Sequence, residues 1–229
     1  MLYDYLLDYP QETKMTESEL TAEEPISYQG AKYERSNVNY VHLSLPTYLA
    51  ERGLELSEQL NAILGNMPNG TYIAGGSVAA AICGAWPNVA GDVDLFFHDA
   101  EAHSTATRLL RFAGKQVIGP QVPEGVEMFE PRQDSEGLPI QTINIQWFEN
   151  IEQLIDGFDF TCCQFGIDVG KKELVFNPVS VTDYTRGLLL NHRYEKSERL
   201  NKRIAKYMQK MFIPVGVTKK IAQELGLWK

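Results

Sequence analysis

The chain has 229 residues, 44% of them apolar and 22% charged, with a net charge of −9. That apolar content supplies a packed core for one sizeable domain with a small appendage, and the acidic balance argues against a general nucleic-acid binder. No apolar run reaches the length of a membrane span, and no basic segment followed by an apolar stretch marks a secretory leader. A soluble chain working in the cytoplasm, without membrane contact, is therefore expected.

Charge is spread unevenly. Residues 1–60 hold eleven acids against four bases, whereas residues 186–229 hold eleven bases against Glu195, Glu198 and Glu224. Such polarity separates a solvating end from an anion-facing end. Cys83, Cys162 and Cys163 lack metal-ligand spacing and read as small buried residues in a reducing compartment. His42, His98, His103 and His192 are scattered, so no zinc site is assigned.

In chain order, the first forty residues are acidic and lack sustained periodicity, apart from the cluster Leu2-Tyr3-Tyr5-Leu6-Leu7. Helical spacing of apolar residues predicts a helix from Tyr48 to Leu64, with Gly65 as its cap. A strand follows over Thr71–Ala74, then glycines and a small-residue helix over Ser77–Cys83. Val93–Phe97 reads as a strand and Ala100–Phe112 as a helix. Lys115–Ile118 and Val126–Phe129 are further candidate strands. Ile140–Phe148 alternates, with Ile143, Ile145 and Trp147 on one face and Thr142, Asn144 and Gln146 on the other. A short helix over Ile151–Ile155 precedes Phe158-Asp159-Phe160 and a strand through Ile167. Gly170-Lys171-Lys172 turns the chain into Leu174–Phe176. From Val179 onward the pattern is helical. Mixed strands and helices with a helical end predict an α+β fold around a mixed sheet.

Two segments carry chemistry. Asp92 and Asp94 stand two apart at the head of a strand, so they share a face with Cα atoms roughly 6–7 Å apart. Carboxylates so placed can converge on a divalent cation. Upstream, the strand through Ala74 enters Gly75-Gly76-Ser77 and then a helix. Glycines allow close backbone approach and positive φ, and a helix start offers unpaired N–H groups to phosphate oxygens. The segment is neither GxGxxG nor GxxxxGK[ST], so the dinucleotide-binding and P-loop fingerprints are missing.

A strand, Gly-Gly-Ser, a short helix and then Asp-Val-Asp on the next strand resembles the DNA polymerase β-like nucleotidyltransferase superfamily. Tyr72–Phe97 carries that likeness. The span from Tyr72 to Lys210 looks like small stand-alone phage and viral members, through Phe158–Cys163 and Arg203-Ile204-Ala205-Lys206-Tyr207. The resemblance implies a fold with a mixed sheet flanked by helices and a helical C-terminal segment. It divides the chain into an acidic arm (1–40), a nucleotidyltransferase-like core (41–178) and a basic helical segment (179–229).

The resemblance also implies transfer of a nucleoside monophosphate from an NTP to an acceptor hydroxyl. Asp92 and Asp94 would hold two Mg²⁺ (or Mn²⁺) ions, and Gly75, Gly76 and Ser77 would hold the triphosphate. CCA-adding members follow Gly-Gly-Ser with Arg-Asp, whereas this chain has Ala79-Ala80-Ala81, which argues against tRNA end repair. The superfamily places a third carboxylate on a neighbouring strand. Ile140–Phe148 is expected to present Thr142, Asn144 and Gln146 there, so Asp159 becomes the candidate third metal ligand and the catalytic carboxylate that activates the acceptor hydroxyl.

Arg199, Arg203, Lys206 and Lys210 form one stripe on a helix, beside the apolar stripe of Leu200, Ile204, Tyr207 and Met211 that would dock it. This Arg199–Lys210 stripe is the candidate contact to phosphates or to a nucleic-acid acceptor, with Lys206 nearest the nucleotide. The acceptor stays open among RNA, DNA, protein and a small molecule. The competing reading is a catalytically degenerate relative that binds nucleotide or serves as a structural component of a complex; a phage-encoded chain would act in the host cytoplasm.

Overall fold

The computed structural model describes residues 39–85, 90–119, 122–131, 137–190, 198–210 and 212–215. The acidic arm expected over 1–40 lies outside them but for its last two residues, as does Met211. The described chain forms two compact units. The first comprises Tyr40–Phe158 and Cys163–Asn177; the second contains Asp159–Cys162 and the chain from Pro178 onward.

The elements of the first unit are β1 (Val41–Ser44), α1 (Leu45–Arg52), α2 (Glu58–Asn66), β2 (Thr71–Ala74), α3 (Gly76–Ile82), β3 (Val93–Phe97), α4 (Ala100–Ala113), β4 (Lys115–Val117), β5 (Val126–Glu130), β6 (Ile140–Ile143), α5 (Ile151–Asp156), β7 (Phe165–Asp168) and β8 (Glu173–Phe176). They build an eight-stranded sheet in the order β1-β8-β7-β2-β3-β6-β5-β4. Only the β3–β6 pair is parallel; every other pair is antiparallel. The fold is α+β with a mixed sheet.

Three helix starts follow from short polar side chains that accept an otherwise unpaired N–H. Ser57 accepts from Leu60, Asp99 from Ala102 and Asn150 from Gln153. The helix expected over Tyr48–Leu64 is in fact two, because Gly53 adopts a left-handed φ of 60° and ends α1. Gly65 lies within α2 rather than capping it; Met67 is the cap residue. The strand expected over Ile140–Phe148 stops at Ile143, leaving Ile145 and Trp147 exposed. A 3-10 turn over Thr161–Cys163 precedes β7.

One face of the sheet carries Tyr72, Ala74, Phe96 and Val175, packed under Ile151, Leu154 and Ile155 of α5, with Tyr40, Ile143, Phe148 and Phe158 around them. The helix can lie this low because Gly166 on β7 has no side chain. A Cβ there would stand 2.7 Å from Ile151 Cδ1 and 3.1 Å from Ile155 Cγ2. On the other face, Phe97 meets His103 of α4 at 5.0 Å between rings.

The second unit holds α6 (Pro178–Thr185), β9 (Leu188–Leu190), α7 (Glu198–Gln209) and β10 (Ile213–Val215). The expectation of helices alone from Val179 is corrected, since β9 and β10 pair in parallel. Leu200 and Ile204 of α7 are buried, as their spacing predicts. Asp183 of α6 is also buried, and Thr161 Oγ1 donates to its Oδ2 at 2.5 Å.

Burial raises the Asp183 carboxyl from 3.8 to about 6, although the Thr161 hydrogen bond and the Arg186 charge pull it down. An acid that keeps its proton more firmly when folded costs stability once it ionises. Stability from this residue is therefore lost as pH rises between those two values. Asp183→Asn cannot ionise, so its stability relative to the parent should grow across that window, reaching on the order of 1–3 kcal/mol at pH 7. Urea unfolding of both chains from pH 4 to pH 7 checks this; a difference constant with pH would refute it.

Candidate functional site

The β2–β3 register places Ala74, the last residue of β2, opposite Asp94. The chain therefore leaves the sheet into Gly75-Gly76-Ser77 directly beside Asp92 and Asp94. Gly75 takes φ 94° and ψ −151°, a region open essentially to glycine alone. Its N–H donates to Phe165 O at 2.9 Å, and a Cβ on it would meet Phe158 Cζ at 3.6 Å. Gly76 opens α3. Ser77 is buried there, and its Oγ has no hydrogen-bond partner among the described residues.

Asp92 precedes β3 and Asp94 lies within it; both are partly exposed. Residues alternate along a strand, so both carboxylates belong to the face that carries Phe96. Phe96 packs edge-on to Phe148 and to Phe158, each at 6.0 Å, which gives the strand a rigid apolar floor next to the acids.

The residue facing Asp94 from the parallel neighbour β6 is Gln141. Its Nε2 donates to Asp92 Oδ2 at 3.0 Å. Thr142, expected on this face, instead points to the other one, where it is buried and accepts from Thr107 Oγ1 at 3.4 Å. Asn144 and Gln146 lie beyond the end of β6 and are exposed. The alternation was legible; which of its two faces meets the acids was not. Gln141 shares the face of Ile143, the apolar set, and that pairing was its one signal in the sequence. The row of residues through Asp94, traced by register, reads Val175, Gly166, Ala74, Asp94, Gln141 and Met128. Asp94 is its single carboxylate.

Asp159 and Lys206 belong to the second unit. The Asp159 Oδ2 pairs with Arg203 Nη1 at 2.6 Å, and the Arg203 guanidinium lies 5.8 Å from the Phe160 ring centroid. Phe160 in turn meets Tyr207 at 5.4 Å. Two members of the expected basic stripe thus have intramolecular work: Arg203 on Asp159, and Lys210 at 5.8 Å over the Tyr207 ring. Lys206 is exposed on α7, and the Arg199 side chain lies outside those described.

Among the described residues no group of three or more His, Cys, Asp or Glu side chains could hold a metal ion. The donor set at Asp92 and Asp94 nonetheless suits a hard divalent cation: two carboxylates on one face, both reaching solvent, with an amide oxygen of Gln141 in reserve. Burial pushes the Cys83 thiol up to about 12, so it offers no thiolate at neutral pH. No helix among the described residues is long and apolar enough to cross a membrane.

Because Gly75 sits where a Cβ is strained, Gly75→Ala should cost about 1–3 kcal/mol of stability. Asp92→Asn with Asp94→Asn keeps both side-chain volumes and should cost less stability than Gly75→Ala. Urea unfolding midpoints of the two variants provide the comparison; equal midpoints for Gly75→Ala and the parent would refute the backbone argument.

No curated protein matches the chain by sequence. Solved structures of similar fold are CCA-adding enzymes. The apo form I has 18% identity and a TM-score of 0.55, with 81% of this chain and 47% of that one covered. The complex with ATP has 17% identity and a TM-score of 0.56, with 80% and 46% covered. The Thermotoga maritima enzyme complexed with tRNA has 16% identity and a TM-score of 0.53, with 80% and 45% covered. The chain therefore spans a little under half the length of those enzymes, and shares with them the nucleotidyltransferase-type fold. Residues 53–187, more than half of the chain, match the model of the Gabija anti-defense 2 family, and the chain belongs to that family.

Proposed function

We propose that the chain is a metal-dependent nucleotidyltransferase that moves a nucleoside monophosphate from an NTP to an acceptor hydroxyl, and that it acts in this way against the Gabija defence, as its family's name implies. The observation that carries this reading is the juxtaposition of the Gly75–Ser77 turn with Asp92 and Asp94, created by the Ala74–Asp94 pairing. The buried Ser77 hydroxyl, without a hydrogen-bond partner among the described residues, adds support, since such a group costs free energy until a partner satisfies it.

In this reading Gly75 and Gly76 let phosphate oxygens approach the backbone N–H groups, and Ser77 donates its hydroxyl. Asp92 and Asp94 hold Mg²⁺ or Mn²⁺, which when bound neutralises charge on the α-phosphate and the pyrophosphate leaving group. Lys206 offers a cation to phosphate. Asp159 is the proposed base for the acceptor, and to serve it must give up its ion pair with Arg203. The similar structures were solved with ATP and with tRNA, which supports an NTP and leaves nucleic acid among the acceptors. Ala79-Ala80-Ala81, where CCA-adding members carry Arg-Asp, weighs against a tRNA end. We propose that the protein works in the cytoplasm, that of the host if the chain is phage-encoded.

Two observations favour a second reading, in which the chain holds nucleotide without turning it over. The place facing Asp94 on β6 carries an amide, and Asp159 is engaged by an arginine. Incubation with each α-labelled NTP, Mg²⁺ or Mn²⁺ and total cell extract separates the two. Transfer predicts pyrophosphate release and a labelled acceptor, with both signals falling at least about a hundredfold in the Asp92→Asn, Asp94→Asn double variant. Nucleotide affinity without turnover selects the second reading; full activity in the double variant would remove the site assignment.

A further inference from the structure

The amide of Gln141 is partly buried within the sheet. It lies on the acid-bearing face, in register with Asp94, and its Nε2 is spent on Asp92 Oδ2 at 3.0 Å. A hydrogen bond from a neutral donor to a carboxylate fixes that carboxylate's rotation and shares one of its two oxygens. The other oxygen, Oδ1, is left as the ligand that Asp92 can offer beside Asp94.

We propose that Gln141 is the positioning residue of the acidic pair. By holding Asp92 it sets the pair to receive one divalent cation together with a nucleoside triphosphate, not two. This inference rests on the nucleotide-binding reading above and deepens it. The physical basis is a count of charge and ligands. Mg²⁺ demands near-octahedral oxygen ligation at about 2.0–2.1 Å, and two cations need about 3.5–4 Å between them with anionic oxygens on both sides. The row through Asp94 supplies one carboxylate and no second. The N–H of Gln141 also points its partial positive charge at Asp92 Oδ2, which lowers the negative charge that oxygen could offer a second cation.

Mn²⁺ bound per nucleotide is the direct measure. The full chain is titrated with Mn²⁺ in the presence of the α,β-methylene analogue of each NTP, followed by electron paramagnetic resonance. The parent should take up one Mn²⁺ per bound analogue. Gln141→Glu, which puts a carboxylate in the same place, should take up two. Gln141→Leu, which frees Asp92 to rotate, should keep one but bind it about tenfold more weakly, as expected for loss of a hydrogen bond to a charged group. A merely structural role for Gln141 would move melting temperature without moving the stoichiometry. Two Mn²⁺ in the parent, or one in Gln141→Glu, overturns the proposal while leaving the nucleotide site standing. Unchanged Mn²⁺ affinity in a folded Gln141→Leu also overturns it; should that variant not fold, the stoichiometries of the parent and Gln141→Glu decide. A parent that binds neither analogue nor Mn²⁺ overturns the nucleotide reading and this proposal with it.

Discussion

The antiparallel pairing of β2 with β3 is the constraint on which the site depends. Backbone hydrogen bonds across four residue pairs fix Ala74 opposite Asp94. Every side chain on those strands then has a defined face, because a shift by one residue would invert them all. The buried faces make such a shift expensive: Ile73, Leu95 and Phe97 are fully enclosed on one side, and Tyr72 and Phe96 join the cluster under α5 on the other. Hydrophobic burial, which has no direction of its own, thus locates two carboxylates beside a glycine turn.

What the sequence made legible follows from the strength of each local signal. The strand–glycine–helix segment and the following Asp-Val-Asp strand were readable because period-two burial and glycine conformational freedom both act within a few residues. The break between α1 and α2 was missed because helical spacing of Leu49, Leu56, Leu60, Ile63 and Leu64 runs on across Gly53, whose left-handed φ is what stops the helix. The four-residue β1 and three-residue β9 and β10 are too short to show a period. Pairing with distant strands defines them, and a single sequence does not display its pairings.

Gln141 illustrates a different limit. Alternation over Ile140–Ile143 states that neighbouring residues face opposite ways, and it held. Which face meets Asp94 depends on the register of the parallel β3–β6 pair, joined through α4, β4 and β5. That register is a long-range property of the sheet. The apolar residues beside Gln141 also disguised it, since Ile143 packs into the same cluster as Phe96: the acid-bearing face is largely a hydrophobic face with a polar end.

The missing side chain at Gly166 reaches further than its own strand. The single hydrogen there sets the height at which Ile151 and Ile155 rest on the sheet. It thereby sets how closely α5 packs over Ala74 at the end of β2. Any larger residue would act as a shim, forcing those two isoleucines to give way. The packing over the residue that leads into the glycine turn is then governed from the neighbouring strand, so a substitution at Gly166 would disturb the base of that turn without touching the turn itself.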